Sequence, residues 1–215
     1  DVRDGGITNF QLDERLYDFT ALEQLYISED FTGFDDRLGQ LQALTYLSLR
    51  SKMLRRLPNA LCQLSKLEQL SIESTALEAL PPRMEQLEAL KALDLTDVPG
   101  VTALPASLGQ LPNLTHLSIA SSSMQDLSAL AVGFERLEYL SLTGLPSAPS
   151  VLAPIFELPN LKYLYLKNMD LPVLPPALAQ LAQLRALGIQ RCGLTVVPDF
   201  LLQLPELQAL YFTHN

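Results

Sequence analysis

A leucine frame recurs nine times along this 215-residue chain, every 22 to 24 residues. Its copies begin at Phe19, Leu41, Leu64, Leu87, Leu111, Phe134, Leu158, Leu181 and Leu204. Two of them read LQALTYLSLRSKMLRRLPNALCQ and LSKLEQLSIESTALEALPPRMEQ. A period in this range, sustained over most of a chain, signals a solenoid of stacked repeats. It also gives every residue a position in the stack.

Each copy carries two patterns. In the copy that starts at Leu41, Leu44, Leu47 and Leu49 form L-x-x-L-x-L. That alternation predicts a strand with Leu47 and Leu49 inward and Tyr46, Ser48 and Arg50 outward. Further on, LPNALCQL places Leu57, Leu61 and Leu64 at spacings of four and three. This predicts a short helical or 3₁₀ turn with one apolar face and Pro58 at its first position. The segment returns as LPPRMEQL, LPASLGQL, LPPALAQL and VPDFLLQL. A single repeat leaves both flanks of its apolar side open, so the array folds only as an array. The expected fold is an α/β solenoid curved like a horseshoe, with a parallel sheet on the concave face and short helical or 3₁₀ segments on the convex face. Leu47/Leu49, Leu70/Ile72, Leu93/Leu95 and Leu117/Ile119 are predicted to stack as successive core layers.

The frame resembles the leucine-rich repeat family over about residues 19–215. Its LPxxLxxL segment is similar to the intracellular Ras-group and scaffold-type repeats of eukaryotes, and to the repeat domains of type III effectors that bacteria deliver into host cells. The resemblance implies a recognition module that binds a protein or peptide on its concave face, with no catalysis of its own. The alternative it implies is the substrate-recognition domain of a larger enzyme, such as a bacterial effector ubiquitin ligase. It also implies a cytoplasmic location, a host cell's cytoplasm in the effector case. At the family's asparagine position this chain carries Asp30, Lys52, Thr75, Ser122, Met169 and Cys192, with asparagine only at Asn215. A looser turn is expected along that edge.

Two stretches, LSALAVGF and GLPSAPSVLAPIFEL, lack the leucine-proline start, and Pro146, Pro149 and Pro154 crowd the second. An irregular convex side is expected over 127–157. Residues 1–18 read as the tail of a preceding repeat, with Leu12 and Leu16 in helical slots, and the last repeat stops just after its strand. Since solenoids need polar caps, a fragment of a longer chain is the expectation.

A net charge of −9 and a pI near 4.7 argue against a nucleic-acid partner, which needs clustered Lys and Arg. The sequence holds no apolar run of bilayer length, and no membrane or cofactor is expected. Cys62 and Cys192 lie too many repeats apart to be bridged, which points to a reducing compartment. The two histidines also belong to distant repeats and cannot converge on a metal.

The outward strand positions form columns across the concave sheet. Of seven tyrosines in the chain, six occupy them, Tyr17 being the exception. Tyrosine suits strands in general, yet Phe and Val suit them too and are absent from these positions. Tyrosine joins a large apolar area to a polar tip and has few rotors, as interface hot spots require. The candidate partner-binding residues are therefore Tyr26, Tyr46, Arg50, Glu73, Asp94, His116, Tyr139, Tyr163, Tyr165, Lys167 and Tyr211. Among them Tyr139, Tyr163, Tyr165 and Tyr211 are expected to form one exposed strip. Glu29, Asp30, Glu73, Asp94 and Asp97 gather on the first four repeats, either as an attractor for basic partners or as ordinary solvation. RSKMLRR is a basic run, either a solvated edge or a contact. His116, Ser118 and Asp94 fall on neighbouring strands, but no nucleophile elbow or oxyanion donors accompany them, so no catalytic role is assigned.

Overall fold

The computed structural model describes residues 12–121, 123–146 and 148–215. Nine strands of five residues form one sheet: β1 Gln24–Ser28, β2 Tyr46–Arg50, β3 Gln69–Glu73, β4 Ala92–Thr96, β5 His116–Ala120, β6 Tyr139–Thr143, β7 Tyr163–Lys167, β8 Ala186–Gln190 and β9 Ala209–Thr213. They pair in parallel and in chain order, β1 to β9. The register keeps the frame intact: Leu47 pairs with Leu70, Leu70 with Leu93 and Leu93 with Leu117, while Leu49, Ile72, Leu95 and Ile119 form the second row. These eight side chains are buried, none more than 1% exposed. The outward and inward assignment read from the alternation therefore holds across β2 to β5.

The return segments are 3₁₀ turns, such as Asn59–Gln63, Ala106–Gln110, Pro176–Gln180 and Asp199–Gln203. Their bonds run from residue i+3 back to i: Leu61 donates to the Pro58 carbonyl at 3.0 Å and Leu64 to the Leu61 carbonyl at 3.1 Å. Pro58, Pro105, Pro175 and Pro198 each sit one residue before their turn, not inside it. A ring-fixed φ there presets the chain's entry without losing a donor the turn needs. At the first two turns, Glu14–Asp18 and Asp36–Gln40, Asp13 and Asp35 hold that place, each accepting the backbone N–H two residues on. The convex side over 127–157 does depart from the pattern. It contains the turn Ser128–Ala131 and a four-residue α-helix, α1 (Pro149–Leu152), that runs into a 3₁₀ turn at Ala153–Glu157.

The asparagine edge differs from the sequence reading. In the repeats with β2, β3 and β5, the buried polar residue comes one position earlier, at Ser51, Ser74 and Ser121. The Ser51 hydroxyl accepts from Phe31 N at 3.1 Å and Met53 N at 3.1 Å, and donates to Phe31 O at 2.8 Å. Ser74 donates to Leu54 O at 2.9 Å. Lys52 and Thr75 are accordingly exposed, and Ser122 lies outside the described residues. Elsewhere the chain reaches the same end by twisting. Asp97, Gly144, Asn168, Arg191 and His214 adopt positive φ between 49° and 72°. In four of these repeats that twist turns the next residue, Val98, Leu145, Met169 or Cys192, into the core. Cys192 then donates its thiol to Leu166 O and Gln190 O. Asn215 accepts from Cys192 N at 3.0 Å and donates to Ile189 O at 2.8 Å. The edge is satisfied by two local solutions, so it is not simply looser.

Candidate concave-face site

Position one of the strands carries, in order from β1, Gln24, Tyr46, Gln69, Ala92, His116, Tyr139, Tyr163, Ala186 and Ala209. Position three carries Tyr26, Ser48, Ser71, Asp94, Ser118, Ser141, Tyr165, Gly188 and Tyr211. Parallel in-register pairing brings neighbours in each column close enough for long side chains to touch. The large side chains group at two places.

At the start of the sheet, Tyr26 and Tyr46 stack with ring centroids 4.7 Å apart. Beside them Arg50 and Glu73 form an ion pair at 3.0 Å. Half of the basic run's cations are thus in ion pairs, since Arg56 pairs with Glu78 at 3.1 Å as well.

At the far half an aromatic ladder of four rings runs across the five strands β5 to β9. His116 stacks on Tyr139 at 5.4 Å, Tyr139 meets Tyr165 at 5.5 Å, and Tyr165 meets Tyr211 at 6.3 Å. The ladder moves from column one to column three between β6 and β7, which is why it runs diagonally. Tyr163 stands on its flank, paired in register with Tyr139 and itself exposed. The four tyrosines do share one region, but the continuous stack runs through His116 and past Tyr163. Lys167 places its Nζ 5.7 Å from the Tyr165 ring centre. Partial burial, and then the neighbouring phenols of Tyr211, Tyr139 and Tyr163, raise the Tyr165 pKa above that of a free phenol. Its hydroxyl is therefore a hydrogen-bonding group at neutral pH and carries no charge.

Three positions expected to face solvent are covered. Ser141, Ala186 and Gly188 are buried because the tyrosine ladder and Tyr163 surround small residues on β6 and β8. Gly188 is the one the sequence reading overlooked. A Cβ there would collide with Cδ1 of Tyr165, so the missing side chain lets that ring lie across β8. Gly188 is also the single glycine in any of the outward columns, a signal already present in the sequence.

Asp94, on β4, adjoins Ser118 in register and lies near His116. The surrounding sheet raises its pKa, while the Ser118 hydroxyl and the His116 ring pull it back in part. His116 instead directs Nδ1 to Thr115 Oγ1 at 2.8 Å and lays its ring against Tyr139. Serine, histidine and aspartate are neighbours here without the hydrogen-bond relay a nucleophilic triad needs. Cys62 and Cys192 are free and buried. Burial pushes the Cys62 thiol up to about 11 and raises Cys192 too, the opposite of an activated nucleophile. Among the described residues no His, Cys, Asp or Glu side chains gather in a metal-holding group, and no helix is long and apolar enough to cross a membrane.

The family model for a leucine-rich repeat region matches residues 15–140. Among solved structures, the leucine-rich repeat domain of the type III effector XopL is 27% identical with a TM-score of 0.74, over 94% of this chain and 72% of that one. Internalin C2 from Listeria monocytogenes is 23% identical with a TM-score of 0.58, over 88% of this chain and 80% of that one. The plant peptide hormone receptor RGFR1, solved in complex with RGF2, is 22% identical with a TM-score of 0.68. That match covers 95% of this chain and 34% of the receptor. At such identities the internalin and the receptor speak for the fold alone. Among curated protein sequences none matches. The nine in-register leucine layers and the family match over more than half of its length agree: the chain belongs to the leucine-rich repeat family.

Proposed function

We propose that this chain is a recognition module that grips a protein or peptide on its concave sheet, centred on the His116–Tyr139–Tyr165–Tyr211 ladder. Leucine-rich repeat domains are generally protein–protein interaction modules. The observation that supports the placement is that ladder itself. Tyr211 is 52% and Tyr163 37% exposed, so their apolar area remains open after folding. A sheet of nine strands spans roughly 40 Å at the usual strand spacing, enough for an interface of standard size.

The test is an alanine series at Tyr139, Tyr163, Tyr165 and Tyr211, titrated against a captured partner beside convex controls at Arg83 and Glu206. Hot-spot tyrosines cost about 2 kcal/mol or more of affinity when truncated, and the controls stay near wild type. Loss confined to the convex variants would move the site to the other face.

A second reading rests on the similarity to the effector domain of XopL. In it, the same face selects substrates for a catalytic domain in a longer polypeptide. The full-length reading frame separates the two, because only the second requires such a domain.

A further inference from the structure

The ladder ends at β5 on a feature the recognition reading does not use. Two carboxylates stand on outward strand positions, Glu73 and Asp94, and Glu73 is paired with Arg50 at 3.0 Å. Among the described residues, Asp94 has no Lys or Arg within ion-pair distance, and it is exposed on the sheet face near His116, whose ring stacks on Tyr139. It shares column three with Ser71 and Ser118 on either side, and neither brings a compensating charge.

Resting on the recognition reading, we propose that Asp94 and the His116–Tyr139 stack together form a subsite for an arginine side chain of an extended peptide segment. Two features of one side chain meet here. A carboxylate takes the two parallel N–H groups of a guanidinium, and an aromatic face takes its plane. Lysine offers a point charge without the planar fork, and a neutral side chain offers nothing to the carboxylate. From β4 to β9 the sheet spans roughly 24 Å at the usual strand spacing. A segment of about seven extended residues can therefore anchor its arginine at Asp94 and lay apolar side chains along Tyr165 and Tyr211. Charge favours the same occupant. Glu29, Asp97 and Asp94 lie toward the start of the sheet and the chain carries −9 overall, so a basic segment is drawn toward that half.

The probe is three pools of acetylated, amidated peptides of about 13 residues, degenerate except for a central arginine, lysine or citrulline, so that about seven extended residues counted from that side chain reach Tyr165 and Tyr211 in either direction. Each pool is titrated into the chain while the His116 and Tyr139 ring resonances are followed by NMR. The arginine pool should bind at least about fivefold more tightly than either other pool. Asp94→Asn keeps the shape of the side chain and should erase that preference, leaving the pools equal. Equal binding of the three pools to the wild-type chain, no binding by any of them, or an arginine preference surviving in Asp94→Asn would each overturn the proposal. Tyr165→Ala, checked by thermal melting for intact folding, separates the two claims. If it weakens every pool while the arginine preference survives Asp94→Asn, the concave site stands and the arginine subsite falls. If every pool binds it as it binds wild type, the concave site itself is wrong.

Discussion

Tyr165 on β7 lies over Gly188 on β8, in a space that exists because residue 188 has no Cβ. The ring thereby reaches both Tyr139 on one side and Tyr211 on the other. One absent side chain therefore holds the ladder continuous. Gly188→Ala should tilt the Tyr165 ring off the sheet. Backbone φ at Gly188 is ordinary, so alanine fits the strand and stability should shift by no more than about 1 kcal/mol. Partner affinity should fall about as far as in Tyr165→Ala. Calorimetric titration of both variants checks this, and wild-type affinity in Gly188→Ala would show that the ring's position does not matter.

Core and face differ sharply in cost. Leu117 is fully buried between Leu93 and Leu140, and Leu117→Ala should destabilise by about 2–5 kcal/mol through lost transfer energy and the cavity left behind. Ser118, one residue on, faces outward, and Ser118→Ala should stay within about 0.5 kcal/mol. Chemical denaturation resolves the pair.

Ser51 is buried and makes three hydrogen bonds to the backbone of Phe31 and Met53, whereas Lys52 is exposed. Ser51→Ala removes the hydrogen-bond partner of the Phe31 carbonyl and of the Met53 amide and should cost about 1–3 kcal/mol. Lys52→Ala should cost within about 0.5 kcal/mol. Equal melting temperatures for the two variants would contradict this assignment of the turn.

The pH dependence of Asp94 runs opposite to that of Asp13, Asp35 and Asp126. Its folded-state pKa is raised, chiefly by burial, so relative to the unfolded chain it favours folding at acid pH. That contribution is lost as pH rises through the folded value. Asp94→Asn should therefore raise the melting temperature near pH 7 and leave it unchanged near pH 3. Asp13, Asp35 and Asp126 have lowered values through hydrogen bonds to Arg15, Arg37 and Ser128. Their contributions are present at neutral pH and lost as pH falls. Melts of wild type and variant across that range give the sign directly.

Both thiols are buried with raised pKa values, so native protein at pH 8 should react slowly with a thiol reagent. Two equivalents should appear at once in denaturant. Rapid labelling of the native state would show that the Cys62 or Cys192 layer opens readily.

Periodicity alone determined the layers. A spacing of 22 to 24 residues with leucine at fixed offsets leaves one way to bury every apolar side chain, so strand number, direction and the inward rows were legible without coordinates. The outward columns followed from the same register, and with them the presence of six tyrosines on one face. What required the tertiary structure was contact across strands. The frame gives Cα positions, but a tyrosine ring reaches past its own strand, and where it lands depends on the size of its neighbours. Hence the ladder crosses from Tyr139 to Tyr165, leaves Tyr163 on the flank and covers Ser141 and Gly188. The asparagine edge fails in sequence for a related reason. Which of the two residues after each strand turns inward depends on the φ of the first, positive at Asp97 and Arg191 but not at Ser51, so the second position read by itself, as Lys52 or Thr75, misses the serine that turns in beside it.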